Sequence, residues 1–397
     1  LPLDYYVYPD HYDDVYNNYL LTNDMMAVFA QRFGEYPFMG EKYGHAEFGR
    51  GGGMEHQTVT SLGGHTEWLI AHELGHQWWG DLVTCASFHH IWLNEGFARY
   101  SESIWEETHN GIEAYKDYWE SHAYYGPGTI YVENPGTTGE IFNGNLSYDK
   151  AGWVVHMLRG VLGDSVFFSA LKSYAYNDSL AYGAVTTEDF QAVCEDVSGL
   201  DLDAFFSQWI YGERYPKYAV SWEKLDSDEL IVTIDQTQNW QYFTMPIQLQ
   251  VILPDDTLDF TVGNSGIAQE YNLGLIGSSS FNVVLDPDDW ILKEVAYLDN
   301  GYEFPGPTKI TLYPAYPNPF NGGTIISFFM PETVGQTPAR VQVYDLNGRL
   351  TETLWSGKSM IGTNRFRWLA HDRTSGIYFV KLDAGGKQFT QKVQYIK

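Results

Sequence analysis

The segment His72-Glu73-Leu74-Gly75-His76 sets two imidazoles four residues apart with a carboxylate between them. It lies inside an apolar stretch of helical spacing, Trp68 to Trp79. Residues four apart on a helix share a face, so both rings can reach one ion while Glu73 lies beside it. A catalytic zinc takes three protein ligands and leaves one position for water. Glu95, in Trp92-Leu93-Asn94-Glu95-Gly96, is expected to supply the third from the next helix, with 18 residues between it and His76. The five-residue pattern alone arises by chance in roughly one such chain in fifty, and a Glu at one fixed later position makes it about twentyfold rarer. A core helix whose histidines merely satisfy buried backbone groups is the weaker reading. The expectation is one Zn2+ per chain on His72, His76 and Glu95, with Glu73 activating a water.

The elements that must hold these residues are legible as patterns. Residues 1–215 read as mainly helical, with apolar recurrences in Met25 to Phe29, Trp68 to Trp79, Trp92 to Trp105, Trp153 to Leu162 and Phe190 to Trp209. From Tyr218 short alternating runs take over, as in Leu230 to Ile234, Ile247 to Val251 and Phe281 to Leu285, so residues 216–303 are expected to form a β-sandwich. Phe304-Pro305-Gly306-Pro307 reads as a stiff linker opening a third domain, 304–397, whose strands include Thr324 to Phe329, Arg340 to Tyr344 and Ile377 to Leu382. The fold class is therefore multidomain α+β, a mainly helical catalytic domain (1–215) followed by two β-sandwich domains.

Charge separates the same regions. The chain carries 51 Asp+Glu against 23 Lys+Arg, a formal charge of −28 over 397 residues. Residues 301–397 hold 11 Lys+Arg and 6 Asp+Glu, leaving 12 and 45 for residues 1–300. So acidic a body repels phosphates and argues against nucleic acid as a partner. With 44% hydrophobic residues the chain can build packed cores, yet no run reaches the roughly 18 apolar residues of a membrane span. The two cysteines, Cys85 and Cys194, are expected as free thiols. No Gly-x-Ser-x-Gly elbow supports a serine hydrolase, and no Gly-Lys-Ser/Thr supports a phosphate loop. His89-His90, His45, His65 and His156 are read as structural, the first pair on a surface loop.

Taken with Asn94-Glu95-Gly96-Phe97-Ala98, the zinc pattern resembles that of the M1 family of zinc aminopeptidases, which are gluzincins. Gly52-Gly53-Met54-Glu55 resembles that family's substrate motif, and Tyr148-Asp149-Lys150 its catalytic-tyrosine element. The resemblance covers about residues 1–300 and implies a thermolysin-like catalytic domain acting on peptides with a free N-terminus. It implies that Tyr148 supports the oxyanion, that Glu55 anchors the substrate ammonium, and that Gly52, Gly53 and Met54 line the substrate. Two departures stand out. His56 occupies the family's usual Asn position, and only about fifty residues precede the glycine motif, too few for the β-domain that leads in this family. The chain opens Leu-Pro-Leu-Asp, so either a leader has been removed or this is a fragment.

Tyr316-Pro317-Asn318-Pro319-Phe320-Asn321, Val343 to Arg349 and Ser375-Gly376-Ile377-Tyr378-Phe379 resemble the Ig-like C-terminal sorting domains of the type IX secretion system. Each piece alone is turn-and-strand chemistry; in order, over about 308–397, they imply export through that machinery to the surface or surroundings of a bacterium. The reading is a secreted or cell-surface zinc aminopeptidase. Its rivals are a zinc endopeptidase of the same class and a surface-binding protein with a decayed site.

Overall fold

A computed structural model describes residues 1–278, 280–298, 310–312, 315, 320, 323–331, 334, 336–360, 362–370 and 373–396. Helix and sheet are mixed, and the chain forms two compact units, Leu1–Tyr297 and Leu298–Lys397. The linker Phe304 to Pro307, and all but Phe320 of the Tyr316 to Asn321 motif, lie outside the described residues.

The first unit begins with a sheet and two helices: β1 (Leu3–Tyr6), α1 (Tyr12–Leu20), α2 (Thr22–Phe33), β2 (Tyr43–Glu47), β3 (Gly53–Met54) and β4 (Thr60–Leu62). The strands lie in the order β1-β2-β4-β3, and the edge strand β3 pairs antiparallel with β4. Then come α3 (Glu67–Gly75), β5 (Val83–Cys85), α4 (Trp92–Asn110), α5 (Ile112–Ser121), α6 (Thr138–Ile141), a π-helical turn at Gly144–Lys150, and α7 (Ala151–Leu162). The helical part closes with α8 (Asp164–Ala175), β6 (Gly183–Val185), α9 (Thr187–Ser198) and α10 (Asp203–Trp209). Phe190 to Trp209, whose apolar spacing reads as one helical run, is two helices. Gly199 ends α9 in the left-handed region at φ 70°, a conformation that stops helix propagation.

Helix α3 starts at a Thr66 cap, whose side chain accepts from the Leu69 N–H. It stops at Gly75, four residues short of the end of its apolar pattern. His76 is the C-cap, still in helical conformation, so the one-turn spacing from His72 survives. Residues 76–79 curl under the helix and bury Trp78 and Trp79 completely.

From Lys217 the unit is all β. Strands β7 (Lys217–Lys224), β8 (Glu229–Gln236), β9 (Met245–Ile252), β10 (Thr257–Asn264), β11 (Ala268–Leu275), β12 (Asn282–Leu285) and β13 (Glu294–Tyr297) form two sheets, β10-β9-β12 and β11-β8-β7-β13. Alternate residues of β8 and β9 are buried, as period-two alternation requires. One apolar core runs from Val15 to Leu292, through helices and strands alike. His156 sits in it, between Trp119, Trp153 and Trp290, with Tyr115 on Nδ1 and the Asp289 carbonyl on Nε2. Burial holds this imidazole down at about 3, and does the same for His45.

The second unit contains β14 (Thr311–Leu312), β15 (Gly323–Met330), β16 (Pro338–Tyr344), β17 (Leu350–Lys358), β18 (Gly362–Leu369), β19 (Gly376–Ala384) and β20 (Lys387–Tyr395). Its sheets are β14-β15-β18 and β17-β16-β19-β20, around a separate core that includes Ile326, Phe328, Val341, Val343, Trp368 and Val380. The Asn347-Gly348 turn forms as its residue types suggest. The Asp345 carboxylate accepts from the Asn347 and Arg349 N–H groups, and Gly348 takes φ 75°. Among the described residues no helix is long and apolar enough to cross a membrane.

Candidate metal centre

Helix α3 and the start of α4 lie side by side and bring His72, His76 and Glu95 together. Their ligand atoms all lie within 4.8 Å of one another, and all three residues are buried. Glu95 Oε2 is 3.4 Å from His72 Nε2 and 3.3 Å from His76 Nε2. The far side of each ring is committed elsewhere. His76 Nδ1 faces the Trp79 carbonyl at 3.0 Å, and His72 Nδ1 faces the Glu102 carboxylate at 2.8 Å. A carbonyl or carboxylate oxygen only accepts, so both Nδ1 atoms carry hydrogen. In the neutral rings both Nε2 lone pairs then point at a carboxylate oxygen, which is repulsive unless positive charge sits between them.

The electrostatics of the cluster say the same. Burial alone would depress His72, but Glu102 and Glu95 outweigh it and lift the ring to about 9; His76 is raised for like reasons. Burial would raise Glu95, yet the two imidazoles hold it well below the usual carboxylate range. The pocket thus favours positive charge, and two imidazoles with one carboxylate are the donor set a divalent transition cation takes. The residues fit such an ion.

Around this trio lie groups that spacing did not reveal. Glu102 is fully enclosed; it accepts from Arg99 Nη1 at 3.2 Å and from the Tyr118 hydroxyl at 3.0 Å as well as from His72. Burial would raise its carboxyl, but Arg99 and His72 keep it low. Arg99 continues to Asp149 at 3.2 Å. Glu102, seven residues or two helical turns along α4 from Glu95, could have been suspected from its position. Nothing in the sequence marks Arg99 or Tyr118.

Glu73 turns toward the same space. Its Oε2 is buried with no hydrogen-bond partner among the described residues, and burial raises its carboxyl to about 7 against the pull of His76 and His72. Gly53 lies directly against it: a Cβ there would come within 2.2 Å of Glu73 Oε1, so no other residue fits without moving the carboxylate. Gly52, at φ 83°, turns the chain into this approach.

Glu55 follows on the same edge. One carboxylate oxygen each from Glu55 and Glu73 and a nitrogen of His76 also lie within 4.8 Å of one another. Met54 is exposed and Glu55 half-buried. The Glu55 backbone is tied down by Gln77, which donates to the Glu55 carbonyl at 3.4 Å and to Asp81 at 2.8 Å while accepting from the Thr58 N–H and the Tyr36 hydroxyl.

Tyr148 reaches the cluster from the π-helical turn. Its ring stacks on His72 with centroids 5.8 Å apart, and the Arg99 guanidinium lies 6.0 Å from its centroid. Burial and Glu95 push its hydroxyl well above the usual value, so it is protonated and able to donate. Of the remaining histidines, His90 is buried rather than on a surface loop, with Thr187 at 2.9 Å, and His89 faces the Val132 carbonyl. Cys85 and Cys194 are free.

A buried pair of imidazoles, a shared carboxylate, an unpartnered glutamate and a tyrosine hydroxyl, on helices beside a small sheet, have the form of a metallohydrolase centre. Comparison with known families matches two segments of the chain. Residues 55–209 match the peptidase family M1 domain, and residues 314–397 match the secretion system C-terminal sorting domain; the chain carries both. It is 33% identical over 183 residues to aminopeptidase M1-C of Oryza sativa subsp. japonica, covering 42% of this chain and 20% of that protein. It is 35% identical over 163 residues to aminopeptidase M1 of Arabidopsis thaliana (37% and 18%), and 32% identical over 183 to aminopeptidase N of Lactococcus lactis subsp. lactis (42% and 21%). The chain spans about a fifth of the length of these relatives. In fold it is similar to aminopeptidase A of Legionella pneumophila, solved in complex with aspartic acid. The TM-score is 0.67 at 18% identity, over 76% of this chain and 37% of that one.

Proposed function

We propose that this chain is a zinc-dependent aminopeptidase, or the catalytic part of one, with His72, His76 and Glu95 as metal ligands. The observation that carries the reading is the commitment of both Nδ1 atoms to acceptors, which leaves the two Nε2 atoms facing one carboxylate. When bound, zinc supplies Lewis acidity, making water ionisable near neutral pH and polarising a carbonyl.

The chain's own groups do the rest. Glu73 takes the proton of the attacking water on its carboxylate and returns it to the leaving amine nitrogen. Its buried Oε2 and raised carboxyl suit a group that must both accept and give. Tyr148 donates its hydroxyl hydrogen to the oxygen that becomes negative when water adds to the carbonyl. Glu55 accepts from the substrate's free ammonium, and Gly52, Gly53 and Met54 line the approach. Glu102 and Arg99 hold the His72 ring and Tyr148 in register.

The position of Glu55 beside Glu73 and His76 favours an aminopeptidase over an endopeptidase, because an internal peptide would bring no cation to it. The division into 1–215, 216–303 and 304–397 is retained as three modules, thermolysin-like, sandwich and Ig-like sandwich. The last is proposed to engage type IX secretion machinery, placing the enzyme at the surface or outside of a bacterium.

Hydrolysis of aminoacyl fluorogenic amides, beside their N-acetylated forms and with or without a chelator, tests the assignment. Chelator-sensitive cleavage restricted to free amines is the expected result. Equal cleavage of blocked substrates sinks the Glu55 role, and a purified protein that binds no zinc sinks the enzyme reading.

A further inference from the structure

A second cluster of the same donor chemistry lies away from the centre just described. His11, Glu47 and His65 offer two imidazole nitrogens and a carboxylate oxygen, all within 4.8 Å of one another. His11 sits at the N-terminal boundary of α1, Glu47 at the end of β2, and His65 in the loop that feeds α3. Three segments distant in sequence therefore meet at one point.

The geometry is that of a built site. Glu47 Oε1 contacts His11 Nδ1 and lies 3.5 Å from His65 Nε2, while its other oxygen accepts the Tyr8 N–H at 2.8 Å. That backbone bond fixes the carboxylate. The Glu47 side chain is only 5% exposed, and among the described residues its ion pairs are with the two imidazoles. A carboxylate so enclosed needs a positive neighbour. His65 is steered from behind. Its Nδ1 lies 3.4 Å from the Tyr19 hydroxyl, and the Asn18 side chain donates to its carbonyl at 2.6 Å. The tautomer with Nδ1–H on the Tyr19 oxygen would turn the Nε2 lone pair to the Glu47 side, where a cation could take it. At 46% exposure the His11 side chain opens the cluster to solvent, giving a cation access and water a remaining position.

We propose that His11, Glu47 and His65 form a second, structural site for a divalent transition cation of the zinc class. Bound there, the ion ties residues 8–12 to the end of β2 and to the loop leading into α3. It binds the folded chain and not the unfolded one, so it stabilises the fold by mass action. The site rests on its own geometry and stands whether or not His72, His76 and Glu95 serve catalysis.

The test is metal stoichiometry of the full chain, stripped with a chelator and re-equilibrated with buffered Zn2+. Co2+ and its visible absorption provide a second readout. Wild type is expected to hold two equivalents, His72→Gln one, His11→Gln one, and the His11→Gln/His72→Gln double variant none. Zn2+ should raise the unfolding midpoint of His72→Gln and leave that of the double variant unmoved. His11 is the substituted ligand because its exposure makes misfolding a small risk; Glu47→Gln is the confirming variant. One equivalent in both wild type and His11→Gln, or none in His72→Gln, overturns the proposal. Failure of the catalytic assignment alone would read differently: His72→Gln would then bind as much Zn2+ as wild type, and His11→Gln would still lose one equivalent.

Discussion

The clusters His72–His76–Glu95 and His11–Glu47–His65 use the same donor types and differ in everything that supports them. The first stands on two packed helices, is buried throughout, and has each ring anchored from behind by an acceptor. The second joins three segments, is half open to water, and has one ring held by a hydroxyl at 3.4 Å. Burial strengthens electrostatic interactions and excludes competing water, which suits catalysis; it also makes each unpaired charge costly, by several kcal/mol. An exposed site gives up that leverage and can only staple. The difference teaches that ligand identity sets what binds, whereas the surroundings set what binding accomplishes. Among the described residues, only the buried cluster has beside it a glutamate with a bare buried oxygen, Glu73; Tyr148 stacks on one of its rings.

The comparison breaks most decisively at Glu73. Glu73→Gln should lower kcat by about 10²–10⁴-fold while zinc content at both clusters stays as in wild type. Full activity in that variant would show that the buried cluster lacks its proton carrier. Tyr148→Phe should lower kcat about 10²–10³-fold with little change in KM, and a pure KM effect would move the residue from the reaction to binding. Gly53→Ala puts a methyl 2.2 Å from Glu73 Oε1 and so displaces the carboxylate; activity should drop about 10²-fold with the metal retained. Kinetics together with metal analysis will read both outcomes.

Glu102→Gln sharpens the contrast in support. Removing the anion behind His72 should weaken metal binding at the buried cluster about 10–100-fold and leave the exposed cluster unchanged, as chelator competition will measure. The smallest effect concerns His156, a histidine of neither cluster. Its value in the fold, about 3, lies below that of an exposed imidazole, about 6.5. The unfolded chain therefore takes up a proton that the folded chain refuses. The stability His156 contributes is whole above about pH 6.5 and is lost as pH falls toward 3, with a slope approaching about 1.4 kcal/mol per pH unit. Urea unfolding at pH 5 and 7 should show a weaker pH dependence in His156→Phe than in wild type. An unchanged slope would mean that this ring is not dry.

Much of the buried cluster was legible because helical geometry is periodic. His72 and His76 share a face by spacing alone, and that holds even though α3 ends at Gly75 and leaves His76 as its cap. Strand runs such as Leu230 to Ile234 fell within real strands for the same kind of reason, period-two burial. What was not legible depends on contacts between distant residues. Glu102 meets His72 across 30 positions, Gln77 reaches Tyr36 across 41, and His11 reaches Glu47 across 36. His65 offered no local pattern, and as one histidine in a loop it looked unremarkable.

By itself the sequence determined the helical face shared by His72 and His76, the offset to Glu95, the change from helix to strand after residue 215 and the charge contrast at the chain's end. Local spacing and composition carry that information because backbone periodicity is the same in every protein. Only the tertiary structure decided which ring nitrogens face which carboxylate, that a side chain at position 53 would have to displace the Glu73 carboxylate, and that a second His-His-Glu cluster exists at all. Those depend on how segments cross, and chain crossing is set by the packing of a whole core.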